Sequence, residues 1–181
     1  MTKIIGIAGA LRKASTNTGL LRHLKEIMPA HIEFEITTLH GIPLYDGDDE
    51  KANGKPEAAV KLSERVKAAD GIIVATPEYN GSIPGVLKNG LDWMSRGGSP
   101  FHWKRVGIIG AADGPLGAAR SQLALRQNMQ GLQAIVMPKP EVFAGNNSKK
   151  FYVEGNVVDE EVKRHLATWL KAFLDWVEKK P

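Results

Sequence analysis

The side chains best suited to hold a charged ligand crowd into one stretch, Gly9–Asn17, which reads GALRKASTN. Arg12 offers a guanidinium, Ser15 and Thr16 hydroxyls, and Asn17 an amide, with Lys13 among them. Hydrogen bonds to a charged acceptor are the stronger kind. The stretch joins a β-rich run, Lys3–Ala8, to a helical run beginning at Thr18. A helix N-terminus adds unpaired backbone N–H groups and the positive end of the peptide dipole. This layout fits a phosphate cradle at the first strand-to-helix turn. A polar turn with an ordinary N-cap is the alternative, because Ser, Thr and Asn before a helix often do no more than cap it. Gly6 and Gly9 do not make GxGxxG, and no GxxxxGK[ST] occurs, so the dinucleotide and NTPase fingerprints are both missing.

A second stretch, Pro77–Gly81 (PEYNG), follows another β run and has a different chemistry. It supplies backbone N–H groups, the Asn80 amide and the aromatic face of Tyr79. A flat heterocycle with a polar edge suits it, the ring packed on the loop and the edge bonded to backbone. Phosphate on one loop and ring on the other describe a mononucleotide, most simply FMN. The competing reading is a plain β-to-α connection whose Tyr packs inward.

Other residues invite chemistry without supporting it. His23, His31, His40, His102 and His165 show no HxxxH-type pair and read as surface or satisfied histidines. Ser15 and Ser82 lack a GxSxG context. The acidic run Asp46–Asp49 lies in an irregular connection, Leu39–Pro56, without EF-hand spacing, and reads as a solvated loop. Asp92 and Trp93 read as packing and oligomer contacts, and Trp169, Phe173 and Trp176 as packing at helical spacing.

The elements that must position the two loops follow from periodicity. Helical spacing marks Thr18–Met28, Glu57–Ala69, Pro84–Met94, Ala118–Met129 and Asp159–Glu178. Gly71–Thr76 and Val106–Ala111 are continuous apolar runs, as expected of central parallel strands buried on both faces. Ile32–Thr37 alternates, as a strand at a sheet edge does, and Ala134–Met137 is a short last strand. Alternating β and α runs predict an α/β fold: a flavodoxin-like three-layer αβα sandwich on a five-stranded parallel sheet of order 2-1-3-4-5. Its switch point lies between strands one and three, so the Ala10–Asn17 and Pro77–Gly81 loops should face each other across the binding crevice.

Bulk properties fit one domain, expected over 1–181. The net charge of +4 is spread along the chain, which does not imply a nucleic-acid platform. No Cys occurs, which excludes disulfides, thiolate chemistry and Cys-ligated metal. Thr2–Ala8 is strand-like rather than a signal peptide, and no apolar stretch reaches membrane-span length, so a cytoplasmic location is expected.

Several longer segments together resemble the NAD(P)H-dependent FMN reductase and quinone (chromate) reductase family of flavodoxin-like flavoproteins. They are Gly9–Asn17, Ile42–Asp48 (IPLYDGD), Thr76–Arg96 (TPEYNGSIPGVLKNGLDWMSR), Gly114–Gln122 (GPLGAARSQ) and Gln133–Glu141 (QAIVMPKPE). The resemblance implies FMN as cofactor, with NADPH or NADH as co-substrate and quinones, flavins, azo compounds or chromate as acceptors, in ping-pong order. The flavin rather than a catalytic side chain would carry the chemistry. By the same resemblance Ala10, Leu11, Arg12, Ser15, Thr16 and Asn17 hold the phosphate, with Arg12, Ser15 and Asn17 as the main side-chain donors. Pro77, Glu78, Tyr79, Asn80 and Gly81 border the ring, and Ala112 closes its far side. It also implies a homodimer or homotetramer, with Gly85–Met94 and Ala118–Met129 as interface helices.

The chain departs from the family's usual GSLR at Ala10, and Ala112 stands where Ser is frequent. A hydroxyl lost to a charged phosphate costs about 1.5–3 kcal/mol where nothing replaces it, and backbone donors remain. The rival reading is a flavodoxin-like electron carrier that binds FMN without oxidising pyridine nucleotide. Arg12 in the loop and the positive net charge speak against it, since such carriers are strongly acidic.

Overall fold

The computed structural model describes residues 1–179; Lys180 and Pro181, the end of the expected 1–181 unit, lie outside the described residues. At its centre run β1 (Thr2–Ala8), β3 (Gly71–Thr76) and β4 (Arg105–Ala111), which pair in parallel. Every residue of β3 is buried, as its unbroken apolar sequence requires of a strand covered on both faces. β2 (Ile32–Thr37) lies at the edge beside β1 and alternates buried with exposed positions over its first four residues. The sheet order β2-β1-β3-β4-β5 is the expected one.

Its last position is shared by two short strands, so the sheet has six strands rather than five. β5 is only Ile135–Val136 and pairs with Arg105 and Val106; β6 (Phe143–Ala144) pairs with Gly110 and Ala111. Pro138 and Pro140 lie between them and carry no N–H for a ladder, so the chain leaves β4 and returns farther along.

Two apolar clusters cover the sheet. On one face α1 (Thr16–Glu26) and α7 (Glu160–Glu178) bring Leu20, Leu24, Trp169 and Phe173 onto the strands. On the other, α3 (Glu57–Ala68), α4 (Gly85–Ser95) and α5 (Ala119–Gly131) contribute Val66, Leu87, Leu91 and Met129. Trp169 and Phe173 stack at 5.1 Å with an interplanar angle of 7°. They do so directly over Gly107, where a Cβ would come within 2.5 Å of Trp169 Cζ2.

Two expectations are corrected. The acidic run begins a helix, α2 (Gly47–Asn53), rather than a wholly irregular loop. Asp46 caps it by accepting from Asp48 N at 2.8 Å, and Asp48, Asp49 and Glu50 fill the first turn where the dipole favours negative charge. Trp93 is fully buried and donates Nε1–H to Pro43 O at 2.9 Å, so it is core rather than an oligomer contact. Asp92 is half exposed and pairs with Lys88 one helical turn away.

Near α2 the Glu50 carboxylate accepts from Arg96 Nε at 2.8 and 2.9 Å and from Tyr45 Oη at 2.9 Å. The Arg96 bond foremost, and the Tyr45 bond after it, hold the Glu50 carboxyl below its ordinary titration range. A carboxylate of this kind contributes stability above its unfolded pKa, about 4.3, and the contribution is lost as pH falls through the lowered folded value. Thermal melts from about pH 6 to about pH 3 should therefore fall less steeply for Glu50→Gln than for wild type. Gly107→Ala is expected to lower unfolding free energy by about 1–3 kcal/mol in urea titration, the cost of forcing a methyl against the Trp169–Phe173 stack.

Candidate functional site

The carboxyl ends of β1, β3 and β4 open into one cleft of about 640 Å³, within the range of small-molecule sites. Three loops line it, after β1, β3 and β4 respectively. Ala10, Arg12, Ser15, Thr16 and Asn17 come from the first; Pro77, Glu78, Tyr79, Asn80 and Gly81 from the second; Ala112 from the third. The two loops expected to face each other do so. Leu11 is not among the lining residues; its side chain is 39% exposed.

In the first loop, helix α1 starts two residues earlier than its periodicity suggests. Ser15 is the N-cap, its Oγ accepting from Thr18 N at 3.3 Å, which leaves its own hydroxyl hydrogen free to donate. Thr16 and Asn17 thereby fall in the first helical turn. Among the described residues the backbone N–H groups of Leu11, Arg12, Lys13, Thr16 and Asn17 have no protein acceptor. Arg12 is exposed at the rim, and no ion pair holds it among the described residues. Orphan donors at a helix N-terminus beside an exposed guanidinium are an arrangement that favours negative charge.

Asn17 has a further task. It is 1% exposed, its Nδ2 donates to Ala111 O at 2.9 Å, and its Oδ1 accepts from Ala111 N at 2.9 Å. The side chain pins α1 to the end of β4 and keeps one N–H for any ligand.

The second loop turns through Asn80 and Gly81, with φ of 51° and 76°, while Tyr79 and Ser82 exchange both backbone hydrogen bonds at 3.0 Å. Two successive positive φ values mark a type I′ turn, which Asn-Gly adopts at least cost. The Asn80 and Gly81 N–H groups have no partner among the described residues, and the Tyr79 ring is 54% exposed at the cleft.

Glu78 uses its side chain elsewhere. Its carboxylate, 7% exposed, accepts from Arg120 N at 3.0 Å and Ser121 N at 3.3 Å, and it pairs with the Arg120 guanidinium. Ala118, the N-cap of α5, makes no side-chain bond of its own, so Glu78 caps that helix from another loop.

The third loop adds more of the lining than its sequence announces: Ala111, Asp113–Ala118 and Arg120, with Asn147 from the short helix α6 (Asn147–Lys150). A Gly-Pro-Leu-Gly run after a buried strand is the signal for most of these. Asn147 carries no such signal, since it reaches the cleft from a segment beyond β6. Among the described residues no cluster of three or more His, Asp or Glu is placed to hold a metal.

Over residues 2–149 the sequence matches the family described as NADPH-dependent FMN reductase. The chain belongs to that family, whose members are oxidoreductase enzymes. This FMN reductase family member is 38% identical over 178 residues to an NAD(P)H-dependent FMN reductase of Pseudomonas aeruginosa, covering 98% of this chain and 96% of the relative. It is 38% identical over 180 residues to a quinone reductase of Escherichia coli strain K12, with the same coverage. Among solved structures it resembles a flavoenzyme NAD(P)H:(acceptor) oxidoreductase from Paracoccus denitrificans, with TM-score 0.86, 30% identity and 98% of each chain covered. The fold and FMN as cofactor, with a reduced pyridine nucleotide, agree with this membership.

Removing the Asn17 clamp tests how the cleft is held. Asn17→Ala leaves two buried Ala111 groups unpaired and should cost about 1–3 kcal/mol for each, read as a lower urea midpoint.

Proposed function

We infer that the chain is an FMN-dependent NAD(P)H oxidoreductase passing electrons to quinone-like acceptors, with residues 1–181 acting as one FMN-binding unit. One observation carries the reading: a helix N-terminus with orphan N–H groups, Arg12 and Ser15 faces a type I′ turn bearing Tyr79 across a single cleft. Phosphate donors and a ring platform thus stand on opposite loops, as a mononucleotide needs.

Arg12, the Ser15 hydroxyl and the α1 N–H groups would hold the phosphate, with the remaining Asn17 N–H beside them. Pro77 through Gly81 would border the ring, offering the Asn80 and Gly81 N–H groups to its polar edge, and Ala112 would lie on its far side. When bound, FMN supplies hydride acceptance and release. The residues of the three loops would hold the ring, and Tyr79 and Leu116, each 54% exposed at the cleft, would offer apolar surface to a second molecule entering it. Flat acceptors such as quinones match these apolar surfaces. Nicotinamide and acceptor would use the cleft in turn, which gives ping-pong kinetics; flavins, azo compounds and chromate are further acceptors to assay. No helix of the described residues is long and apolar enough to cross a membrane. We place the protein in the cytoplasm as a homodimer or homotetramer joined through α4 and α5, where Leu123 is 70% exposed.

The test is a visible spectrum of purified protein with FMN, followed by NADH or NADPH without oxygen. Bleaching of the bound-flavin band by either nucleotide is expected. A bound flavin that neither nucleotide reduces would instead favour an electron carrier, and absence of bound flavin would overturn the reading. Arg12→Ala should weaken FMN binding by about 10- to 100-fold, since a hydrogen bond to a charged group contributes about 1.5–3 kcal/mol.

A further inference from the structure

Asn147 lies outside the three loops, yet it is 6% exposed and lines the cleft. Its amide is satisfied in one orientation. Nδ2 donates to Ala144 O at 3.2 Å and to Ala112 O at 3.1 Å, while Oδ1 accepts from Thr16 Oγ1 at 3.1 Å. The reverse orientation sets Oδ1 against two carbonyl oxygens with no donor between them, and the amide then keeps only its bond to Thr16.

This orientation decides what Thr16 can do. A threonine hydroxyl carries a single hydrogen. Given to Asn147, that hydrogen is no longer available to an anion, and the Thr16 oxygen keeps only lone pairs, which repel a phosphate. The Thr16 backbone N–H is unaffected and still lacks an acceptor among the described residues. Asn147 also ties the start of α1 to Ala112, that is, the first loop to the third.

We propose that Asn147 is a positioning residue of the phosphate end of the cleft, holding the Thr16 hydroxyl away from the ligand so that Thr16 binds through its backbone alone. The inference rests on the FMN reading of the same cleft. It separates two hydroxyls that look equivalent in the sequence: Ser15 keeps a hydrogen to donate, and Thr16 does not.

The readout is the ratio of FMN to riboflavin affinity, measured by flavin fluorescence quenching on the flavin-free protein. These ligands differ by the phosphate, so general loosening of the fold weakens both and leaves the ratio in place. Thr16→Val keeps the side-chain shape and should hold the ratio within about twofold of wild type. Asn147→Asp replaces the donating amide with a carboxylate facing Ala144 O and Ala112 O. The ratio should then fall about tenfold at neutral pH and recover as the introduced carboxyl is protonated. If Asn147→Asp does not fold, Asn147→Leu takes its place. It frees the Thr16 hydroxyl hydrogen to turn toward the phosphate, so the ratio should rise without pH dependence, and combining it with Thr16→Val should remove that rise.

A tenfold fall in Thr16→Val would overturn the inference by showing the hydroxyl to be a phosphate donor. An unchanged ratio in the Asn147 variant would overturn it as well, while a phosphate preference abolished by Arg12→Ala would leave the FMN reading intact. Wild-type protein that binds FMN no better than riboflavin would remove the phosphate assignment and this inference together.

Discussion

Parallel strands that stop side by side leave a row of backbone groups without ladder partners, and a cleft at that edge persists only if something else pairs them. Here buried side chains do so. Asn17 takes both the N–H and the C=O of Ala111, where β4 ends. Gln122 adds a bond at 2.7 Å to Val142 O, which also accepts from Gly110 N at 3.2 Å, just before β6 joins the same edge. Without these pairings the carboxyl end of the sheet would need water or a collapsed loop to satisfy it. With them, the three loops stand apart around an open space.

The same bonds determine where negative charge is welcome. Two helices, α1 and α5, begin at the cleft, and both start with orphan N–H groups and a positive dipole end. In α5 the Glu78 carboxylate already accepts from two of those groups, so that terminus is neutralised from within the protein. In α1 the Ser15 hydroxyl caps one N–H and leaves the others unpaired. An anion therefore has one favourable end of the cleft, beside Arg12. The opposite end is left to a type I′ turn and an exposed tyrosine, which suit a ring better than a phosphate.

Much of this was legible in the sequence because it depends on local chemistry. The unbroken apolar runs at Gly71–Thr76 and Val106–Ala111 are strands buried on both faces, and the alternation at Ile32–Thr37 is an edge strand. Loops with backbone-shaping residues and donors reappear as the walls of the cleft. What the sequence obscured has nonlocal causes. Two prolines split the last strand, and the chain rejoins β4 after a detour that no periodicity records. The acids at 46–50 look like loop residues until a helix start is allowed for, when their charge matches the dipole.

The amino-acid sequence by itself determined the layered α/β architecture, the order of its elements and the identity of two facing loops, because hydrophobic period, glycine placement and strand-to-helix succession act over a few residues at a time. The tertiary structure alone decided the hydrogen-bonding duty of each polar side chain. Asn17 is largely taken by a strand 94 residues away, Glu78 by a helix 42 residues on, and Thr16 by Asn147 across 131 residues. A buried polar group must find its partner wherever the fold brings one within about 3 Å, and that neighbourhood is a property of the packed chain.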